Sequence, residues 1–155
     1  MSSPTPFLTI DQLRAADIPA PWSFGRRDWV RSGEIDALGH VNNTVYLQWF
    51  ETVRVGYVQA LDPSPYPESV TVLKSLTADY RTEMRRDEAY IVAARTRSFR
   101  TTSFVQEYAV FAPDLRASGT AVIVLIDAKS GEKAPLNDAL RRLFIHRDGA
   151  EGPRG

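Results

Sequence analysis

The sequence predicts an α+β fold in which an antiparallel sheet wraps around one long central helix. Three observations carry this expectation. Residues 44–61, TVYLQWFETVRVGYVQAL, place Val45, Trp49 and Val53 on one stripe, with Tyr46, Phe50 and Tyr57 beside it, at three- and four-residue spacing. From Val70 onward the apolar period changes to two. Residues 120–128, TAVIVLIDA, are almost wholly apolar and β-branched, the mark of a strand buried on both faces in the middle of a sheet. A helix with so wide an apolar stripe must be covered on more than one side, and a run of strands following it can do so by curving around it.

The elements follow in order. Residues 1–23 carry prolines at 4, 6, 19 and 21, which interrupt any long helix, so they are expected to form a peripheral extended arm with one helical turn at 11–16. Residues 24–31, FGRRDWVR, set Trp29 and Val30 among charges and suit an edge or leading strand. Residues 32–43 read as a loop, punctuated by Gly33, Gly39 and the Asn42-Asn43 pair, and either asparagine is a natural N-cap for the helix. Gln48, Glu51, Thr52, Arg54 and Gln59 make up most of that helix's polar face, and DPSPYPE at 62–68 must stop it.

Strands are expected around Val70–Tyr80, with Val72, Leu76 and Ala78 in period; around Tyr90, Val92 and Ala94; and around Phe104, Tyr108 and Val110, with Val105 and Phe111 on the other face. The segments APDLRASG and KSGE supply turns. After Pro135, Asn137 or Asp138 caps a short helix through Phe144, with Leu140, Leu143 and Phe144 on one side, and HRDGAEGPRG at 146–155 is expected to be a frayed polar tail. The domain organisation is thus an arm (1–23), one domain (24–145) and a tail (146–155).

Composition narrows function by exclusion. The 155 residues are 43% hydrophobic and 25% charged, as in globular domains. Nineteen Lys and Arg balance nineteen Asp and Glu, so no global field draws the protein to nucleic acid or an anionic membrane surface. The absence of cysteine removes disulfides, thiolate metal sites and a cysteine nucleophile. Only His40 and His146 are present, far apart, and no G-x-S-x-G occurs, so neither a metal centre nor a serine hydrolase is expected. The amino-terminal segment lacks a basic region followed by an apolar one, and no stretch approaches the ~18 apolar residues of a membrane span, which points to the cytoplasm.

The chemistry concentrates at residues 34–46, EIDALGHVNNTVY, which continue into YLQWFETVR. This resembles the signature of the 4-hydroxybenzoyl-CoA thioesterase branch of the hotdog superfamily, in which an acidic loop residue followed by G-H-V-N-N opens the central helix. The similarity extends to ADYRTEMRRDE and GTAVIVLIDAKSGEKAPLNDALRRL, and so over roughly residues 24–145. It implies a hotdog fold, hydrolysis of an acyl thioester without a cofactor, a catalytic acid at Asp36, and pairing of subunits through joined sheets with active sites at their boundary, in a homodimer or homotetramer. The family's D-x-D pair has Glu34 at its first position here.

The residues support the same reading physically. Asp36 lies just upstream of a helix start, where first-turn N–H groups lack intrahelical acceptors and carry the positive end of the helix dipole. A thioester carbonyl over the N–H groups near Asn42 and Asn43 would meet fixed donors, worth ~3 kcal/mol each as negative charge develops. Asp36 would either attack the carbonyl or deprotonate a water. His40 either locks the loop as a structural imidazole, or polarises the carbonyl or holds Asp36, and Asn42 and Asn43 serve as caps, ligands or both. Tyr46, one turn into the helix, suits the acyl pocket, whereas Trp49 and Phe50 suit core packing. Arg81, Arg85, Arg86, Arg95, Arg97 and Arg100 form the main basic concentration, either a solvated strand face or a site for coenzyme A phosphates. The rival readings are an acyl-carrier-protein thioesterase, an enoyl-thioester hydratase using an Asp-His pair, and an acyl-CoA-binding module without turnover.

Overall fold

A computed structural model describes residues 6–61 and 68–153. In chain order the elements are β1 (Phe7–Leu8), α1 (Ile10–Ala15), β2 (Phe24–Trp29), a 3-10 turn (Ser32–Glu34), α2 (Asn43–Gln59), β3 (Ser69–Tyr80), β4 (Ala89–Phe99), β5 (Ser103–Phe111), β6 (Leu115–Asp127) and α3 (Asp138–Asp148). The strands form one sheet in the order β1-β2-β4-β5-β6-β3, with every neighbouring pair antiparallel. Because β2 lies near one end of that order and β3 forms the opposite edge, the connection between them must cross the sheet. That connection contains α2, which lies across the concave face.

The aromatic spacing of α2 determines what it meets. Trp49 stacks on Tyr90 of β4 with centroids 4.1 Å apart, and Phe50 stacks on Tyr108 of β5 at 5.1 Å. Val45, Trp49, Phe50, Val53 and Tyr57 are all at most 7% exposed and share one core with Val92, Val110, Ala121 and Ile123. Gly119 of β6 allows the close approach, since a Cβ there would sit 2.6 Å from the Phe50 ring and 2.8 Å from the Thr77 carbonyl oxygen. Gly119→Ala is therefore expected to cost ~1–3 kcal/mol through overpacking, measured as a lowered urea midpoint at unchanged slope; an unchanged midpoint would mean that the Phe50 ring and the β3 backbone at Thr77 both yield freely.

Several expectations need correction. The amino-terminal arm is not merely peripheral: α1 carries a Thr9–Gln12 capping box, and Leu13 and Ile18, 0% and 2% exposed, pack on Ile91 against the outer face of the sheet. The tail is not frayed after residue 145. Helix α3 continues to Asp148 and ends at Gly149 in the left-handed conformation (φ 65°), after which Glu151 bridges to the end of β4 through Phe99 N–H (3.0 Å) and Arg97 C=O (2.9 Å). The β6 run is interior to the sheet, but it is buried on both faces only at Ile123–Leu125; its outer-face residues Val122 and Ile126 remain half-buried. Of the proline-rich stop at 62–68, all but Glu68 falls outside the described residues, as do residues 1–5.

Candidate active site

The loop before α2 is a closed turn. An isolated bridge joins Ile35 to Val41, Asp36 N–H donates to the His40 carbonyl (2.8 Å), and Gly39 N–H donates to the Asp36 carbonyl (3.1 Å). Gly39 takes φ 83°, which glycine adopts without steric cost. The Asp36 side chain closes the same turn: Oδ1 accepts from Leu38 N–H at 2.9 Å and from His40 N–H at 3.3 Å. Its other oxygen has no protein partner among the described residues. The turn-forming and chemical readings of Asp36 are thus compatible, one oxygen for each.

Asp36, His40, Asn42, Asn43 and Tyr46 line one open cleft of about 380 Å³. An apolar hollow of about 270 Å³ on the outer face, between Ile18, Ile91 and Phe111, contains neither an acid nor a histidine and offers no comparable chemistry. Within the cleft the two asparagines differ. Asn42 is the N-cap: its Oδ1 accepts from Thr44 N–H (2.9 Å) and Thr44 Oγ1 (2.8 Å), and its own N–H donates to the Glu34 carbonyl (2.9 Å). The backbone N–H of Asn42 is therefore engaged and is no oxyanion donor. Among the described residues the Asn43 N–H has no acceptor, while its carbonyl accepts from Tyr80 Oη at 2.8 Å.

The His40 imidazole makes no hydrogen bond to Asp36 among the described residues. Its Nε2 lies 3.5 Å from Glu83 Oε1, so His40 braces Asp36 through its backbone N–H rather than through its imidazole. Tyr46 is 3% exposed and packs edge-on between Trp49 and Tyr80 at 5.1 and 5.2 Å. Burial raises its hydroxyl pKa, partly offset by Arg116, which keeps it a neutral donor at ordinary pH.

Of the six arginines singled out in the sequence, only Arg81 lines the cleft. Arg85 pairs with Glu83 (3.3 Å), Arg86 with Asp87 (3.5 Å) and Arg97 with Glu107 (3.5 Å). Sequence reasoning missed the opposite wall, built by Tyr80 at the end of β3 and by Thr82 and Glu83 after it. Arg116 holds that wall, donating to the Glu83 carbonyl (2.9 Å), Glu88 Oε1 (3.0 Å) and the Ala112 carbonyl (2.8 Å), and Val41 N–H ties the loop to it through the Met84 carbonyl (2.8 Å). The segment ADYRTEMRRDE contained the signal, but nothing local shows that it folds back over the loop.

Among the described residues no three metal-binding side chains gather, and no helix is long and apolar enough to cross a membrane. The family model of the thioesterase-like superfamily matches residues 30–144. The chain belongs to that superfamily. Its structure is similar to that of a thioesterase superfamily protein from Jannaschia sp. CCS1, with 38% identity, coverage of 97% of this chain and 98% of that one, and a TM-score of 0.88. It is also similar to a thioesterase from Thermus thermophilus solved with coenzyme A and zinc, at 29% identity over 81% of this chain and 93% of that one, with a TM-score of 0.70. Among curated proteins, YsmA of Bacillus subtilis is 26% identical over 130 residues, 81% of this chain and 87% of its own length. The sheet around α2 is the hotdog fold of this thioesterase-like superfamily.

Proposed function

We propose that this thioesterase-like protein hydrolyses acyl-CoA esters to the free acid and coenzyme A, in the manner of the 4-hydroxybenzoyl-CoA branch. One observation carries the reading: a carboxylate oxygen of Asp36 and the Asn43 N–H, neither with a protein partner among the described residues, belong to residues lining the same cleft. A thioester carbonyl seated over Asn43 directs its developing oxyanion at that N–H and at the positive end of the α2 dipole. Asp36 then supplies the attack. Either its carboxylate adds to the carbonyl, the thiolate departs and water opens the mixed anhydride, or it takes a proton from a water that adds directly. Label found in Asp36 after a single turnover in ¹⁸O-water identifies the first route, because only a mixed anhydride opened by water at the Asp36 carboxyl carbon can put it there. The likeness to a thioesterase that binds coenzyme A supports the choice of thiol.

Free-thiol release from short-, medium- and long-chain and aromatic acyl-CoA esters tests the reading, and turnover of at least one ester is expected. Turnover confined to carrier-protein esters would move the substrate, and none on either carrier would leave a binding module.

We also propose a homodimer formed through β3. This 12-residue edge strand is unpaired on its outer side among the described residues, with Val70, Val72 and Leu73 exposed by 38–47%, and Val55 of α2 is exposed by 48%. An edge so long and apolar calls for a partner, and antiparallel pairing of two copies satisfies two-fold symmetry. Sedimentation should give about twice 17.4 kDa for the wild type and the monomer mass for Val72→Glu/Leu73→Glu. A monomeric wild type at micromolar concentration would refute the pairing.

A further inference from the structure

Glu34 lies two residues before Asp36, at the position where the resemblance leads one to expect an aspartate. Its side chain does not line the cleft. Instead it accepts two hydrogen bonds at once: Oε1 from Arg31 N–H at 2.8 Å and Oε2 from the indole Nε1–H of Trp49 at 2.8 Å. Its backbone carbonyl takes the Asn42 N–H at 2.9 Å. The residue thus grips α2 at two places, its N-cap and a side chain about two turns further on.

Both ends of this grip are anchored. Trp49 is 4% exposed and stacked on Tyr90 of the sheet. Arg31, whose N–H meets Glu34, also reaches through Nη2 to Asp28 of β2 at 3.1 Å, and that aspartate is 4% exposed and paired with Arg26 at 2.9 Å. A continuous polar link therefore runs from β2 through Arg31 and Glu34 to α2, spanning the base of the loop that holds Asp36. An aspartate at position 34, one methylene shorter, would not span the same two donors without moving the backbone.

We propose that Glu34 is a positioning residue whose carboxylate clamps the Asp36 loop to α2 through Trp49, fixing the attacking oxygen relative to the Asn43 N–H. The inference rests on the thioester-hydrolase reading above and adds to it a residue that touches no substrate. Misplacement of a reacting group by about 1 Å can cost ~100-fold in rate, so a loosened clamp acts on kcat.

The test compares wild type, Glu34→Gln, Trp49→Phe, the double variant and Asp36→Asn. Glutamine is isosteric but must turn one amide N–H toward a donor, and phenylalanine keeps the stacked ring while deleting the indole N–H. Each single variant is expected to lower kcat by ~10- to 100-fold with KM within about twofold, and the double variant to be no worse than the worse single one, because both delete one contact. Nuclear magnetic resonance of the three tryptophan indole N–H groups reads the clamp directly. The signal absent from Trp49→Phe should move upfield in Glu34→Gln.

A Glu34→Gln kcat within twofold of wild type, while Asp36→Asn is inactive, overturns this proposal alone. So do a rise in KM at unchanged kcat, a Trp49→Phe variant with full kcat, or a lowered melting temperature with unchanged turnover per folded molecule. A wild type inactive on every ester overturns the hydrolase reading together with it.

Discussion

Asp36→Asn is expected to lower kcat by ~100- to 10,000-fold, the range for removing a positioned acid–base or nucleophilic group, while leaving stability within about 0.5 kcal/mol of wild type. The separation of the two effects follows from the division of labour within one carboxylate. An asparagine Oδ1 can still accept from Leu38 N–H and His40 N–H, so the turn survives. What changes is the second oxygen, which has no protein partner among the described residues and becomes an amide nitrogen that can neither attack nor take a proton. Asp36→Ala, by contrast, should lose activity and also destabilise by ~1 kcal/mol, because the turn loses its acceptor. Thiol-release kinetics beside thermal melts measure both. An Asp36→Asn rate within threefold of wild type would remove Asp36 from the chemistry.

The second large effect lies at the other end of the chain. Asp148→Ala is expected to cost ~3–5 kcal/mol, the usual size for breaking a buried charged network by deleting one member. The Asp148 side chain is buried and accepts from Ser23 Oγ, Tyr57 Oη, Thr96 N–H (2.7 Å) and Arg147 Nε (3.1 Å), while the Arg147 guanidinium lies 4.6 Å over the Tyr57 ring. The carboxylate joins α3, β4, α2 and the segment before β2. Alanine would leave these buried donors without their common acceptor. Desolvation, reinforced by Asp148, pushes the Tyr57 hydroxyl far above its ordinary pKa, so it remains a donor throughout the working pH range. Chemical denaturation of wild type and variant checks the figure. A loss under about 1 kcal/mol would mean that water replaces the carboxylate and that the cluster is not the anchor of the carboxyl-terminal segment.

Much of the fold was legible because it rests on local periodicity. The aromatic and β-branched spacing of 44–61 requires a helix with a wide buried stripe, and that stripe is what the concave sheet covers. The alternation in β4 and β5 marks their core faces for the same reason: side-chain direction along a regular element follows from its own backbone geometry. The candidate site was legible too, because Asp36, His40, Asn42, Asn43 and Tyr46 fall within eleven consecutive residues at a loop-to-helix junction, and short-range geometry brings them to one cleft.

What the sequence could not show depends on partners distant along the chain. Ser23 and Asp148 meet across 125 positions, and a tail that reads as polar and frayed is held down by that meeting. Glu34 reads as a loop acid until Trp49 presents its indole N–H 15 residues later, and nothing near Glu83 in sequence shows that Arg116 holds its backbone carbonyl and so sets its segment beside His40. Sequence alone therefore determined the period of each main element and the set of polar residues gathered at the start of α2. The tertiary structure decided which polar groups become buried partners, because a hydrogen bond between remote residues is set by how the sheet curves and leaves no trace in the spacing of either residue's neighbours.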